Sequence, residues 1–343
     1  MLNWNGKLDT EECLKSLMKL AYPNLQVIVV DNGSGDGSLE YLKPRFPKVL
    51  FLRSETNLGF TGGCNIGVKT AAAQFHPDYF LLLNNDTTVD ENLVDSMVSR
   101  AEVDPSVAVV QAKILYYHDG TINSAGNLGD VFGGATGRGA HERDRGQYDR
   151  FESERFFYCS GACLLVARRF AENIGPSLFD SRLFAYYEDF DLSWRARLQG
   201  LKISFCSEAI CHHKEGATSG GLVPWVAYLA HRNRLRVLLK NYSTGALFFA
   251  FPGALGLEFI TSLATSIHRR EPAFMTALLR AIGWNAKFLA ETFGLRRSVQ
   301  STRKVTDRQV MKAMEWAPID LTHGLGFNSR YWRRIRGERK RER

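Results

Sequence analysis

The sequence predicts an α/β fold in which helices cover both faces of a mostly parallel sheet. In the first half of the chain, apolar runs alternate with segments whose apolar residues recur at helical spacing. The apolar runs are continuous, which is typical of strands that are buried on both faces of a parallel sheet. Three of these runs end in glycine or in polar residues that carry oxygen. Because ligands bind at the carboxyl ends of such strands, the sequence also predicts a ligand-binding edge.

The predicted elements follow one another in a regular order. The chain starts at MLNWNG with little apolar lead-in, so the first strand is either very short or truncated. Asp9 is a candidate cap for the helix that follows it. A Gly-rich loop opens a helix at 59–75, and the Gly-, Arg- and Asp-rich stretch 116–155 predicts a long loop. The remaining elements are helices at 9–22, 38–46 and 186–200, and strands within 25–38, 48–54, 79–86, 156–170 and 201–221.

The composition changes near residue 224, which divides the chain into a first domain at 1–223 and a helical, basic region at 224–343. This region contains a basic amphipathic segment at 225–241, an apolar stretch at 245–270 and an Arg-rich tail. The longest apolar run falls short of the roughly 20 residues that a spanning helix needs, so a buried or interfacial hairpin is predicted. The whole chain has a net charge of +8, and much of the positive charge lies late in the sequence, which favours an anionic membrane surface as partner of this region. Packing on itself or against a second copy of the chain is the alternative, and no nucleic-acid motif is present.

Three acidic clusters lie where ligand chemistry is expected. Asp31 ends a strand ahead of a Gly-rich turn, where a carboxylate can accept hydrogen bonds from a nucleotide. Asp86 follows two asparagines at the end of another buried strand, where a divalent cation and a diphosphate could sit. Glu188 and Asp189 begin a helix whose dipole keeps carboxylates ionised. Each cluster alone also fits an ordinary turn or helix start, so their order along one domain is the more specific signal.

Two neighbouring histidines, His212 and His213, end a later strand ahead of a Gly-rich loop. A lone histidine is usually structural, but one beside an acidic metal site is a candidate ligand. The sequence leaves open which of the two faces that site. It also leaves open whether Glu188 or Asp189 acts as a base, because adjacent carboxylates share one electrostatic field.

Seven motifs together resemble the family 2 glycosyltransferases of the GT-A fold, in the branch of bacterial rhamnosyltransferases and related cell-surface polysaccharide enzymes. The motifs are LNWNG, VVDNGSGDGS, NLGFTGGCNIG, LLLNNDT, CSGACLLVARR, YYEDFDLSWRARLQG and HHKEGATSG. The resemblance covers residues 2–221 and continues more weakly through HRNRLRVLLKN. It implies a nucleotide-diphospho-sugar transferase fold with a Rossmann-like sheet, followed by a C-terminal helical, membrane-associating region.

The resemblance also implies roles for individual residues. Asp31 would contact the base of the donor, and Asp189 would be the catalytic base with Glu188 beside it. Asp86 would be the last acid of a DxD metal motif whose first position is Asn84 here, and His213 would be a second contact to Mn²⁺ or Mg²⁺. The further donor contacts implied are Asn3, Asn65, Gly62, Asn84, Asn85, Gly161 and Ala162.

The implied activity is an inverting, metal-dependent transfer of a sugar from a nucleotide diphosphate to a hydroxyl of a glycan or polyprenyl-linked acceptor. Rhamnose is the first expectation for the sugar, and the expected location is cytoplasmic, on the inner face of the cell membrane. An inactive homologue that only binds nucleotide sugar or glycan would have lost Asp86 or Asp189, and both are present. A nicotinamide-dependent oxidoreductase would carry GxGxxG after its first strand, where this chain reads NWNGKLDTEE. The donor and the acceptor stay open.

Overall fold

The computed structural model describes residues 1–150, 156–175, 177–214 and 223–321. Two stretches with sequence predictions, the Gly-rich loop 215–222 and the Arg-rich tail 330–343, lie outside these residues. The strands of the described chain are β1 (Leu2–Asn3), β2 (Ile28–Asn32), β3 (Leu50–Ser54), β4 (Tyr79–Leu83), β5 (Thr87–Val89), β6 (Val107–Tyr116), β7 (Ile122–Ser124), β8 (Asn127–Gly129), β9 (Ala135–Gly137), β10 (Cys163–Ala167) and β11 (Lys202–His213).

The helices separate and follow these strands. They are α1 (Lys7–Leu17), α2 (Ser38–Leu42), α3 (Gly59–Phe75), α4 (Leu93–Glu102), α5 (Arg168–Ala171), α6 (Glu188–Leu198), α7 (Pro224–Asn241), α8 (Thr244–Arg269), α9 (Ala273–Lys287), α10 (Leu289–Ser301) and α11 (Asp307–Met311). The first helix begins before its predicted start, and its cap is Gly6 without a side-chain hydrogen bond. Asp9 instead accepts a hydrogen bond from Nζ of Lys214 at 2.6 Å, so its prediction as a cap is wrong.

The first three strands form a parallel sheet in the order β1-β2-β3. The apolar residues of β2 pack against α1 on one side and α3 on the other, whereas those of β3 are half-buried. Asn3 of β1 lies in register with Asp31 of β2, and Arg53 of β3 lies on the other side of Asp31. Asn3 and Asp31 therefore meet at the carboxyl edge, where the sequence predicts a ligand site.

The second sheet is mixed, with the order β4-β10-β6-β11-β5 and with β7 on the side of β6. The strand β10 runs antiparallel to both β4 and β6, whereas β11 is parallel to β6 and antiparallel to β5. The predicted predominance of parallel pairs therefore holds for β1-β2-β3 and for β6-β11 but not for the sheet as a whole. The reversal arises because β10 inserts between β4 and β6, and no local pattern in the sequence encodes that pairing.

A mostly apolar cavity of about 660 Å³ separates the two sheets where β2 faces β4. Leu2 pairs with Val30 on one side and forms a parallel bridge to Asn84 on the other, so β1 joins the sheets at this point. The amino group of Met1 donates to the carbonyl oxygen of Ile28 at 3.0 Å, and its burial lowers its pKa. The cavity continues the line of β1 on the amino side of Met1, between residues 24–28 and β4.

We expect a short apolar extension, such as Val-Val-Ile-Val-Val fused ahead of Met1, to occupy this cavity by lengthening β1. It would bury apolar side chains and pair the open edges of β2 and β4, and we expect the Tm to rise by about 3 °C or more. Differential scanning calorimetry measures the change. The control is a Gly-Ser extension of equal length, and an equal Tm for the two proteins would contradict the prediction.

The stretch 116–155, predicted as a long loop, contains three short strands in its described part. The strand β7 pairs with β6, and β8 pairs with β9. The turn between β8 and β9 is closed by Asp130, whose carboxylate accepts from the backbone of Gly134 at 2.8 Å and of Ile319 at 2.7 Å. Each strand is only three residues long and lies in a glycine-rich stretch, so the sequence predicts a loop there.

The basic residues of α7 point into the protein rather than out of it. Arg234, Arg236 and Lys240 are almost fully buried. Their ion pairs are Arg234–Glu258 at 3.0 Å, Arg236–Asp180 at 2.7 Å and Lys240–Asp191 at 2.9 Å. The prediction that this helix presents positive charge to a membrane is therefore wrong, since these cations are neutralised inside the fold.

The apolar stretch 245–270 forms one helix of 26 residues, α8, and the predicted hairpin is wrong. The residues that α8 buries are Ala250, Ala254, Leu257, Glu258 and Ser262. This spacing defines a single helical face, which packs on α7 and α9. Pro252 lies on the exposed side, away from the packed face, and is accommodated within the helix.

Candidate active site

The turn after β4 carries the oxygen-rich motif Asn84-Asn85-Asp86. Two backbone hydrogen bonds fix the turn, because the amide of Asn84 donates to Ala162 at 2.9 Å and the amide of Lys214 donates to the carbonyl of Asp86 at 3.0 Å. Asp86 lies 3.2 Å from His213, measured from Oδ1 to Nε2, and both side chains are about nine-tenths buried. The structure therefore brings together the two residues for which the sequence predicts metal contact.

The pairing of β11 with β5 decides between the two histidines. Successive residues of a strand face opposite sides, so His212 and His213 point apart. Nε2 of His212 lies 3.5 Å from Oδ1 of Asp90, whereas His213 faces Asp86. His213 is thus the histidine at the motif.

The residues at this turn fit a metal ion that is shared with a diphosphate. Nδ1 of His213 is buried and has no hydrogen-bond partner in the described part of the chain. Oδ1 of Asp86 lies beside the other ring nitrogen, Nε2, at 3.2 Å. The described residues contain no group of three or more histidines, cysteines or acids arranged to hold a metal ion by themselves. Mg²⁺ and similar hard ions usually keep several waters and bind through one or two carboxylates together with phosphate oxygens. Two protein ligands are therefore sufficient for a metal–diphosphate site but not for a full protein cage.

A chain of hydrogen bonds connects this turn to Asp31. Asn3 is buried, and its Nδ2 donates to Oδ1 of Asp31 at 2.9 Å while its Oδ1 accepts from the hydroxyl of Thr10 at 2.8 Å. The same hydroxyl accepts from Nδ2 of Asn85 at 3.0 Å. Asn3 therefore orients Asp31 from behind, and Thr10 links Asp31 to the Asp86 turn. Thr10 was not predicted from the sequence, although its place one turn into α1 could have indicated an inward-facing hydroxyl.

Glu188 and Asp189 form the first turn of α6, and their surroundings differ. Oδ2 of Asp189 accepts from the amide of Gly161 at 2.9 Å, and its Oδ1 accepts from the amide of Phe190 at 2.7 Å. Burial raises the pKa of Asp189, and these amides oppose the rise. Oε2 of Glu188 is buried with no such donor in the described chain. Burial and then the charge of Asp189 raise the pKa of Glu188 well above its usual range, so Glu188 is the member of the pair that keeps a proton.

The loop before β10 connects the two halves of the site. Gly161 donates its amide to Asp189, and the next residue, Ala162, accepts from Asn84 through its carbonyl. A Cβ at Gly161 would be in ordinary van der Waals contact with Cβ of Asp189 at 3.5 Å, so the loop lies directly against this acid. Both residues predicted for this loop thus lie between the Asp86 turn and Asp189.

Two predicted donor contacts, Asn65 and Gly62, have neighbours other than the acidic residues of the site. Nδ2 of Asn65 donates to the carbonyl of Phe179 at 2.9 Å, and its Oδ1 accepts from the amide of the same residue. Gly62 faces Leu58 in the first turn of α3. Neither residue shares a hydrogen bond with Asp31, Asp86 or Asp189 in the described chain, so their role as donor contacts stays a prediction.

A model of the family described as Glycosyl transferase family 2 matches residues 1–175, about half of the chain. The chain belongs to glycosyl transferase family 2. The match contains β1 to β10 and therefore Asp31, Asp86 and Gly161. This family 2 glycosyltransferase carries its other two site elements, α6 and β11, beyond the matched segment.

Curated relatives of this glycosyltransferase include two bacterial enzymes. An N-acetylglucosaminyl-diphospho-decaprenol L-rhamnosyltransferase of Mycobacterium tuberculosis is 26% identical over 281 residues, which covers 76% of this chain and 90% of that enzyme. A poly-beta-1,6-N-acetyl-D-glucosamine synthase of Staphylococcus aureus is 23% identical over 228 residues, which covers 64% of this chain and 50% of the synthase. Both are named for the synthesis of sugar linkages.

Solved structures show that the fold is GT-A. The structure of GalNAc-T7 with UDP, GalNAc and Mn²⁺ superposes with a TM-score of 0.57 at 16% identity, over 84% of this chain and 56% of that one. Staphylococcus aureus TarS superposes with a TM-score of 0.52 at 14% identity, over 91% of this chain and 53% of TarS. The chain thus spans little more than half the length of either neighbour, and at these identities the likeness establishes the fold alone.

Proposed function

We propose that this enzyme transfers a sugar from a nucleotide diphosphate to a hydroxyl of a lipid-linked acceptor, with inversion at the anomeric carbon. The observation that carries the proposal is the loop Gly161–Ala162, which bonds to Asp189 on one side and to the Asp86 turn on the other. A leaving diphosphate at Asp86 and an attacking hydroxyl at Asp189 would then lie on opposite sides of one sugar. This arrangement supports a single displacement.

Asp189 is the general base in this proposal. It accepts the proton of the acceptor hydroxyl while the oxygen forms a bond to the anomeric carbon, and the bond from that carbon to the diphosphate oxygen breaks. The proton ends on the carboxylate, and the electron pair of the broken bond leaves with the nucleoside diphosphate. Glu188, which keeps its own proton, leaves Asp189 as the ionised partner.

The negative charge on the leaving group requires a counter-charge at the other side of the sugar. Asp86 and His213 would hold Mn²⁺ or Mg²⁺, which supplies Lewis-acid stabilisation of the diphosphate when bound. GalNAc-T7, which shares the fold, was crystallised with Mn²⁺. Asp31, oriented by Asn3 and Thr10, would receive the base of the donor at the far end of the same edge.

Rhamnose carried on a deoxythymidine diphosphate is the donor that we favour. The support is the mycobacterial relative, which is named as a rhamnosyltransferase acting on an N-acetylglucosaminyl-diphospho-decaprenol and covers most of this chain. A polyprenyl-diphosphate acceptor follows from the same relative. It also agrees with a location on the cytoplasmic face of the cell membrane.

Thermal stabilisation of the purified protein by nucleotides tests the proposed function. We expect the Tm to rise with one class of nucleoside diphosphate or nucleotide sugar in the presence of Mn²⁺ or Mg²⁺, and the rise to disappear with a chelator, since only the folded state binds the ligand. The class that stabilises identifies the donor for a transfer assay. Binding without any transfer to lipid-linked acceptors would support the alternative, an inactive homologue that only binds. The absence of stabilisation with every nucleotide would contradict the proposal.

We further propose that the exposed face of α8 rests on an anionic phospholipid surface. This helix is the one in the described chain that is long and apolar enough to cross a membrane, although it packs on α7 and α9. Its solvent side carries no charge from residue 244 to residue 267 and exposes Phe248, Phe259 and Ile267. Because α8 buries Glu258 against Arg234, it is held to the protein, which favours an interfacial position over a spanning one.

The charges around this face match an anionic partner. The three acids between residues 244 and 300 are Glu258, Glu271 and Glu291, and all are buried or half-buried. The exposed charged side chains of the same segment are cationic: Arg270, Arg280, Lys287 and Arg297. A lipid surface with anionic head groups therefore complements this region, although the buried cations of α7 do not contribute.

We expect the combined substitution Phe248→Ser and Phe259→Ser to reduce binding to anionic vesicles by about tenfold or more, because both rings lose apolar burial in the bilayer. Flotation with phosphatidylglycerol vesicles measures the loss. The control is Leu8→Ser, an equally exposed apolar residue on α1. Unchanged flotation would contradict the proposal, and a concentration-dependent dimer that the double variant abolishes would assign the face to a second copy of the chain instead.

A further inference from the structure

The turn that leads into α6 is strained. Residues Phe184, Tyr186 and Tyr187 have φ angles of 65°, 70° and 68°, which residues other than glycine rarely adopt. At Phe184 the ψ angle is −64°, and the amide of Ala185 donates to the carbonyl of Leu183 at 2.7 Å. These values describe the rare, strained form of γ-turn. Such backbone persists only where the surrounding structure determines it, and it is concentrated at functional sites.

One side chain of α7 holds most of this turn. Asn233 is fully buried, and its Nδ2 lies 2.8 Å from each of three carbonyl oxygens, those of Leu183, Ala185 and Tyr186. The preceding residue, Arg232, donates from Nη2 to the carbonyl of Leu183 at 2.7 Å. Arg232 and Asn233 thus donate hydrogen bonds to carbonyls that the strained turn would otherwise leave unpaired.

The turn determines where α6 begins. The carbonyl of Tyr187 accepts the first hydrogen bond of that helix, from the amide of Asp191 at 2.9 Å. Asp189 lies between these two residues, and its carboxylate reaches Gly161 from this position. A shift of the turn would therefore move the Asp189 carboxylate relative to Gly161.

We propose that Asn233 is a positioning residue, which holds the strained turn 183–187 and thereby places the carboxylate of Asp189 at the attacking hydroxyl. The proposal rests on the proposed function, in which Asp189 is the base. Asn233 itself touches no reacting atom. Its three acceptors all belong to the turn, so its contribution is specific to this segment rather than to the core in general.

The substitution Asn233→Ala tests the proposal through the split between kcat and KM. A misplacement of about 1 Å is enough to reduce the rate about 100-fold, so we expect kcat to fall by about that factor. The KM for the donor and the affinity for its nucleoside diphosphate should stay within about twofold, because no contact to Asp31 or Asp86 changes. Asn233→Ser keeps one donor at this position and should recover part of the lost kcat.

The matched control is Asn285→Ala. Asn285 is also a buried asparagine, and its Nδ2 donates at 3.0 Å to the carbonyls of Arg232 and Ala281, which lie outside the turn. This variant should lose comparable stability and keep nearly all of its kcat. Equal losses of kcat in the two variants, or a parallel loss of nucleotide affinity in Asn233→Ala, would overturn the proposal.

Amide hydrogen exchange provides a readout that needs no activity. We expect Asn233→Ala to increase exchange at residues 184–190 and at Gly161, and Asn285→Ala to leave those amides protected. Unchanged exchange there in Asn233→Ala would also overturn the proposal. A wild-type protein that transfers no sugar would count against the proposed function alone, because the exchange experiment would still decide whether Asn233 holds the turn.

Discussion

The substitution Asp189→Asn is expected to reduce kcat by about 100- to 10,000-fold, the range that a general base contributes. Asparagine keeps the size of the side chain, and its carbonyl oxygen can still accept the amide of Gly161 or of Phe190. It cannot take a proton from the acceptor hydroxyl. The fold and the nucleotide affinity should therefore survive, and steady-state kinetics with a measured nucleotide Kd would separate the two effects.

Glu188→Gln is the matched control for this substitution. The buried carboxyl of Glu188, whose pKa is raised, already carries a proton near neutral pH, so glutamine resembles its working state. We expect its kcat to change by less than about tenfold, a small loss on the scale of a general base. If Glu188→Gln were inactive and Asp189→Asn were active, the two roles would be exchanged and Glu188 would be the base.

The pH dependence of stability should differ between these variants. Glu188 titrates near its ordinary pKa when unfolded and at a higher pKa when folded. Between these two pKa values the folded state therefore binds more protons than the unfolded state. Its contribution to stability is present below the unfolded pKa and is lost as the pH rises through the folded pKa. In Glu188→Gln this fall in stability with rising pH should disappear, because glutamine does not titrate. That result would agree with a Glu188 that is buried as the neutral acid and does not act as the ionised base.

The sequence was sufficient for those parts of the site that are local in the chain. The run YFLLL followed by Asn84-Asn85-Asp86 predicts a buried strand and a polar turn, and β4 ends at Leu83 as expected. The acids of α6 likewise indicated the start of a helix, which the structure places at Glu188. Both patterns depend on periodicity and on helix-end chemistry within a few residues, and such features are written directly into the sequence.

The parts that could not be predicted depend on residues far apart in the chain. The direction in which α7 faces is decided by Asp180, Asp191 and Glu258, which its buried cations meet only in the folded state. The sequence alone shows a basic amphipathic helix and cannot tell an inward charge network from an outward one. The antiparallel insertion of β10 beside β4 is non-local in the same sense, and it is this pairing that brings Ala162 to Asn84.

The turn before α6 was not predicted, because the sequence indicated a helix that begins at residue 186 and the structure begins it at Glu188. Phe184, Tyr186 and Tyr187 are residues that disfavour a positive φ, yet the fold holds all three there. Propensity alone would extend α6 backwards through YYEDF or leave an ordinary loop. The structure shows why it does not, since the carbonyls of the turn are taken by Asn233 rather than by a helical ladder.

The substitution Asp86→Ala is expected to abolish the metal-dependent part of donor binding. Removing partners that only orient metal ligands typically costs 10- to 100-fold in affinity, so the loss of a ligand itself should reach about 100-fold or more. Titration of the protein with nucleoside diphosphate in Mn²⁺ and in chelator measures this factor. In Asp86→Ala the two titrations should coincide, because the carboxylate that joins metal to protein is gone.

The two histidines provide the comparison that makes this result specific. His213→Ala removes the side chain that faces Asp86 at 3.2 Å and should also weaken the Mn²⁺-dependent binding, whereas His212→Ala acts on a side chain beside Asp90 and should not. Both changes fall on neighbouring residues of one strand, so a general effect on β11 would appear in both. Wild-type turnover in Asp86→Ala, or equal metal dependence in the two histidine variants, would place the diphosphate elsewhere. Asp86 and Asp189 are joined through Gly161 and Ala162. If they act at the two ends of the proposed displacement, Asp86→Ala should lower donor affinity and Asp189→Asn should lower kcat.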